Sequence, residues 1–247
     1  MKKHALGLAM AATLGTQAIA QQEQDGFSIG FGLTYSDSVF VGEDSDPQIL
    51  PLLRYESDRF SLGVPQGARL TVFERNQLRV SAVVSPRFSA LEDPDGRELA
   101  GIDRELTADG GLQLRYRFGP GTQIRFRAVT ELTDEHGGSE LSASITQPVP
   151  VGQTPLLLSA GVTMMDPDLA QYTYGVFESE ATRDRPEYSP DAVIIPNLSV
   201  SSVFALSETV SLTGSVRAEF LPDEVTDSPI VDADVSVSTF LGISYQF

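Results

Sequence analysis

Three pairs of arginines are the residues in this 247-residue sequence best placed to do chemistry. They are Arg79 and Arg87, Arg115 and Arg117, and Arg125 and Arg127, each pair separated by an even number of positions. Where a chain runs as a β-strand, such residues share a face. A guanidinium stays charged and grips a carboxylate or phosphate through two parallel hydrogen bonds. Two chemistries follow. A cationic strip would favour anions along a pore or hold an acidic ligand. Alternatively, the arginines pair with carboxylates on the same faces, for which Asp109, Glu131 and Glu219 are the candidates.

Other chemistries lack parts. The sequence has no cysteine, which removes disulfides, thiolate metal sites and a thiol nucleophile. Beyond His4, its one histidine is His136, in Glu135-His136-Gly137-Gly138. A zinc site needs more ligands than that. Ser28 stands in Gly26-Phe27-Ser28-Ile29-Gly30, but inside a period-two strand pattern and not at a strand-to-helix elbow. No enzyme, cofactor or metal is expected, and His136 reads as a loop residue. The formal charge of −17 argues against a nucleic-acid partner.

The elements that carry the arginines alternate with period two. Leu78, Val80, Ala82, Val84, Pro86 and Phe88 oppose Arg79, Ser81, Ser85 and Arg87. Leu112, Leu114, Tyr116 and Phe118 oppose Gln113, Arg115 and Arg117; across Gly119-Pro120-Gly121, Ile124, Phe126 and Ala128 oppose Gln123, Arg125 and Arg127. The same alternation marks Phe27–Ser36 and the later stripes led by Leu141, Leu156, Leu198, Val210 and Val237, while Gln48–Tyr55 is an apolar run. Phe60–Val64 and Arg69–Phe73 are weaker, joined at Pro65-Gln66-Gly67.

Connections alternate in length. Short turns are expected at 56–59, 74–77, 119–121, 149–154 and 207–208, and long loops at 37–47, 89–106, 166–191 and 221–233. Outer-membrane barrels pair short periplasmic turns with long external loops and strands of about ten residues. The fold class is therefore all-β: a closed antiparallel transmembrane β-barrel of twelve strands, or ten if 60–73 forms no hairpin. Tyr55, Tyr116, Phe118, Tyr245 and Phe247 fall near the periplasmic ends, and Tyr35, Phe88 and Phe220 near the external ends, as interfacial girdles require. A lumen of this size lies between the filled and water-filled cases, and the ion-paired lumen is the preferred reading.

Lys2, Lys3 and His4 precede an apolar run from Ala5 to Leu14, and Ala18-Ile19-Ala20 supplies a cleavage site. Residues 1–20 read as a secretory signal peptide, leaving 21–247 as the barrel. Acidic residues gather in the long loops: Glu43, Asp44 and Asp46; Glu92, Asp93, Asp95 and Glu98; Asp223, Glu224 and Asp227. They read as solvated external loops, with divalent-ion bridging to lipopolysaccharide left open. Asp93-Pro94-Asp95-Gly96 and Asp166-Pro167-Asp168 read as turns.

Several stretches resemble the MipA/OmpV family of outer-membrane proteins. They are Leu50-Pro51-Leu52-Leu53-Arg54-Tyr55, His136-Gly137-Gly138, Tyr174-Gly175-Val176, Pro186-Glu187-Tyr188, Asp227-Ser228-Pro229-Ile230-Val231 and the ending Phe240–Phe247. The resemblance implies an outer-membrane barrel acting as a scaffold that links a lytic murein transglycosylase to a peptidoglycan synthase. Other members resemble adhesins or surface antigens. A narrow anion-preferring pore is the alternative carried by the arginines. The last strand is expected to pair with Phe27–Ser36, and its Tyr245 and Phe247 resemble the address read by the barrel-assembly machinery.

Overall fold

A computed structural model describes residues 25–247 except 44, 93, 95, 120 and 153. The expected signal peptide lies outside the described residues, as do Asp44, Asp93, Asp95 and Pro120. The apolar–polar alternation becomes twelve antiparallel strands joined in a closed ring. They are β1 (Gly26–Ser36), β2 (Gln48–Glu56), β3 (Phe60–Val64), β4 (Gly67–Arg75), β5 (Leu78–Arg87) and β6 (Thr107–Phe118). The second half comprises β7 (Thr122–Glu131), β8 (Ser139–Val151), β9 (Thr154–Met165), β10 (Val193–Ala205), β11 (Val210–Phe220) and β12 (Val235–Gln246). Every strand pairs with its sequence neighbours, and β1 with β12 from Ser28↔Gln246 to Ser36↔Ser238. Closure leaves no edge strand to be satisfied inside a bilayer.

Apolar side chains point outward. Phe31, Ile49, Phe126 and Leu241 are all more than half exposed, which only lipid makes favourable over a belt of twelve strands. Among the described residues no helix is long and apolar enough to cross a membrane; the strands do that work. At the periplasmic end, Tyr116 stacks on Phe118 at 6.3 Å and Phe247 lies against Phe27 at 5.8 Å and Tyr245 at 5.0 Å. The Phe247 N–H donates to the Phe27 carbonyl (3.0 Å), so the chain end is tied into the ring.

The hairpin at 60–73 forms, and the strand count is twelve. Its alternation is broken by a register shift between Thr71 and Phe73, which leaves both Val72 and Phe73 exposed. One expected turn is too long: pairing of β8 with β9 runs from Glu140↔Met165 to Val151↔Thr154, so residues 149–151 and 154 are strand.

The long loops are corrected more substantially. They are not simply solvated. The described residues of the loops between β1 and β2, β5 and β6, β9 and β10, and β11 and β12 fold together over the outer mouth around an apolar core. Leu91, Leu99, Ile102, Leu169, Tyr174, Val176, Val225 and Ile230 are essentially inaccessible within it. Asp166-Pro167 is not a turn but a helix start. Asp166 caps α1 (Pro167–Tyr174), accepting from the Leu169 N–H at 3.0 Å, with Pro167 at the first helical position. A short α2 (Asp223–Thr226) lies in the last loop.

Candidate functional site in the lumen

The strands β5 to β8 lay the arginines in rows. Arg79 pairs in register with Arg115, Arg115 with Arg125, and Arg125 with Ser144. One row of the inner wall thus carries three guanidiniums side by side, an arrangement that like charges directly opposite one another disfavour. One step outward, Gln113 pairs with Arg127. These residues face a cavity of about 300 Å³ whose lining takes in Arg87, Arg115, Arg125 and Arg127 along with Arg54, Arg69 and Arg217. Arg79 lies toward the periplasmic end, paired with Glu74 at 3.0 Å. Arg117, one step nearer that rim, is exposed.

Carboxylates neutralise much of this charge. Arg87 pairs with Asp109 (2.6 Å) and Glu140 (2.8 Å), and Arg127 with Glu140 (3.1 Å). Across the lumen Arg217 pairs with Glu219 (2.8 Å), while Glu56 takes both Arg54 (2.5 Å) and Arg69 (2.8 Å). Of the three expected partners, Asp109 and Glu219 do pair with arginines. Glu131 does not. Its carboxylate instead accepts backbone N–H bonds from Thr133, Glu135, His136 and Gly137 and folds the 132–138 loop. Three partners were missed, Glu56, Glu74 and Glu140. Glu140 was within reach of the alternation, since it precedes the Leu141, Ala143, Ile145 stripe by one residue.

Arg115 and Arg125 remain. Neither has a hydrogen bond or ion pair among the described residues, and the Nε of each is buried without a partner. Arg69 lies within Coulombic reach of both. Desolvating unpaired charges and setting them together is costly. Both guanidiniums line the cavity without an ion pair to a carboxylate among the described residues.

Above the cavity the cap is held by two buried arginines. Arg104 pairs with Glu180, donates to the Tyr172 carbonyl (2.8 Å) and lies over the Phe177 ring at 4.8 Å. Arg185 donates to the carbonyls of Glu98 (2.7 Å) and Ala100 (3.1 Å), joining two loops. His136 stacks on Tyr172 at 4.6 Å, and its Nδ1 accepts from the Gly138 N–H (3.0 Å). Burial pushes the His136 imidazolium below the usual histidine range and the Tyr172 hydroxyl up to about 12. A side chain at Gly138 would meet the Leu169 nitrogen at 2.4 Å, so only glycine lets this loop reach α1. Among the described residues no group of three or more acidic or histidine side chains is gathered to hold a metal ion.

Residues 29–247 match the family described as MltA-interacting protein MipA. The chain belongs to that family. It is 29% identical to YiaT of Escherichia coli (strain K12), over 89% of this chain and 90% of that protein. To the MltA-interacting protein of the same organism it is 26% identical, over 97% and 98% of the two chains. Among solved structures it is similar to the NanC porin, with a TM-score of 0.48 and 9% identity over 89% of this chain and 100% of that one. Family membership and the lipid-facing barrel place the protein in the outer membrane. Two of the stretches that carry the family resemblance help to build the cap: Tyr174, Val176 and Ile230 lie in its core, and the Ser228 hydroxyl donates to the Tyr174 carbonyl (2.6 Å).

Proposed function

We infer that the protein is a non-enzymatic scaffold of the outer membrane: a rigid barrel, shut on its outer side, that holds a cell-wall enzyme at its periplasmic rim. The observation behind this reading is the packed cap. A general diffusion channel needs a water-filled mouth, whereas here four loops share one apolar core across it. By its name, the MltA-interacting protein of Escherichia coli binds MltA, and a lytic murein transglycosylase is the partner proposed for this chain. At the periplasmic rim consecutive strands are separated by only two to four residues. Contact through them buries little surface, as in transient complexes below about 1,200 Å². The expected interaction is therefore weak and salt-dependent. Asp58 and Glu208, exposed at two turn tips, supply charge for it.

Crosslinked capture tests this. Refolded protein in proteoliposomes should retain a lytic murein transglycosylase, and charge reversal at Asp58 and Glu208 should weaken the capture. Retention no greater than on an unrelated barrel of similar size would overturn the scaffold. A second reading, a narrow anion-preferring path, is favoured by the unpaired Arg115 and Arg125.

A further inference from the structure

The barrel wall is not equally tall all round. Pairing of β2 with β3 begins at Leu53↔Val64, and pairing of β4 with β5 begins at Ala68↔Val84. Outward of the turn at Pro65 and Gln66, the Gln48–Leu52 part of β2 and the Ser85–Arg87 part of β5 have no strand between them. Both edges carry proline, Pro51 and Pro86, which has no N–H to leave unsatisfied and belongs on such edges. Farther out, the flanking loops meet: the Gly96 N–H donates to Glu43 Oε1 at 2.6 Å. The gap is thus a window framed on four sides. It lies within the lipid-facing belt, because Ile49 is level with Leu33 of β1 and both are exposed. Non-paired backbone at that depth is tolerated where it lines a cavity.

The cavity reaches this window. Pro65, Gln66 and Gly67, which form its sill, line the same cavity as Arg115 and Arg125. The outer mouth is covered by the cap, so the window is the route that connects the unpaired guanidiniums with the outer leaflet. We propose that the lumen is a binding site for a single-chain amphiphile with an anionic head group, admitted sideways from the membrane. The head, a phosphate or carboxylate, sits between Arg115 and Arg125, which present paired N–H forks to it. Its tail passes over the Pro65–Gly67 sill between the apolar edges and stays in lipid. A cavity of about 300 Å³ holds a head group and the start of a chain. The charge pattern suits this and not a zwitterion, since the nearby carboxylates Glu56, Asp109 and Glu140 are already paired with other arginines.

Native mass spectrometry of the full chain in a nonionic detergent tests the proposal with three probes: dodecyl phosphate, dodecylphosphocholine and inorganic phosphate. One dodecyl phosphate should bind per chain, at least about tenfold tighter than dodecylphosphocholine. The double variant Arg115→Gln/Arg125→Gln should lose that preference; it removes repulsion, so folding is not at risk. Gln66→Trp, which fills the sill and leaves the arginines untouched, should weaken dodecyl phosphate binding and spare inorganic phosphate. Unchanged dodecyl phosphate binding in the double variant would overturn the site. Equal binding of inorganic phosphate and dodecyl phosphate, with no effect of Gln66→Trp, would show a free-anion site and overturn the lateral route.

Discussion

Within the lumen, Glu140 balances the charge of two clustered arginines at once. Its two oxygens are divided between Arg87 and Arg127, and it is buried. Replacing it with glutamine keeps the shape and removes the charge. Breaking a buried pair from one side leaves an uncompensated guanidinium, at a cost of about 3 kcal/mol. Glu140→Gln should therefore lower the unfolding free energy in urea, measured from lipid vesicles, by about that amount; a loss below about 1 kcal/mol would place the pair among weak surface bridges. This wall was largely legible beforehand, because a period of two assigns Arg79, Arg87, Arg115, Arg117, Arg125 and Arg127 to one side. Alternation does not say where the end of a side chain goes. Glu131 occupies a lumen-side register yet turns away to the N–H groups of its own loop. The isolation of Arg115 and Arg125 likewise depends on which carboxylates come within reach across the ring.

At the scale of elements, the cap is where sequence and structure part most. Acidic, proline-rich loops read as solvated because their apolar residues follow no regular period: Leu91, Leu99 and Ile102 are unevenly spaced in one loop, and Val176 and Ile230 come from two others. Only the closed ring, which returns all four loops to one mouth, gathers them. Asp166-Pro167 did carry a signal, a cap residue followed by proline, that fits a helix start as well as a turn. The hairpin at 60–73 was faint for a local reason, the bulge that turns both Val72 and Phe73 to lipid. The cap also has its own pH limit. Burial raises the hydroxyls of Tyr172, to about 12, and of Tyr174. In the unfolded chain a tyrosine loses its proton near pH ~10. The folded cap favours the protonated form, so its stability is whole below that pH and falls as pH rises toward 12. Limited proteolysis of the external loops should show resistance that disappears in that alkaline window, together with late phenolate absorbance. Cleavage already complete at neutral pH would contradict a packed cap.

For the whole molecule, twelve strands, a covered outer mouth and short periplasmic turns make a barrel that is rigid and shut toward the outside. Ring closure was readable from the chain end, where alternation persists to the last residue. The structure ties that end down through the Phe247 N–H and its ring contacts with Phe27 and Tyr245. The sidedness of turns and loops followed from the spacing of polar segments, which left ten or twelve strands open. What spacing hides is height: a five-residue β3 looks like any weak strand until its register shows the wall to be low beside it. The scaffold reading, the lateral window and the unfilled arginine pair all depend on the cap keeping the outer mouth closed. Planar-bilayer recording tests that most directly. The unaltered protein should be silent, and a variant with the cap core broken by Val176→Asp and Ile230→Asp should conduct with anion preference that Arg115→Gln/Arg125→Gln removes. Steady conductance through the unaltered protein would contradict the account.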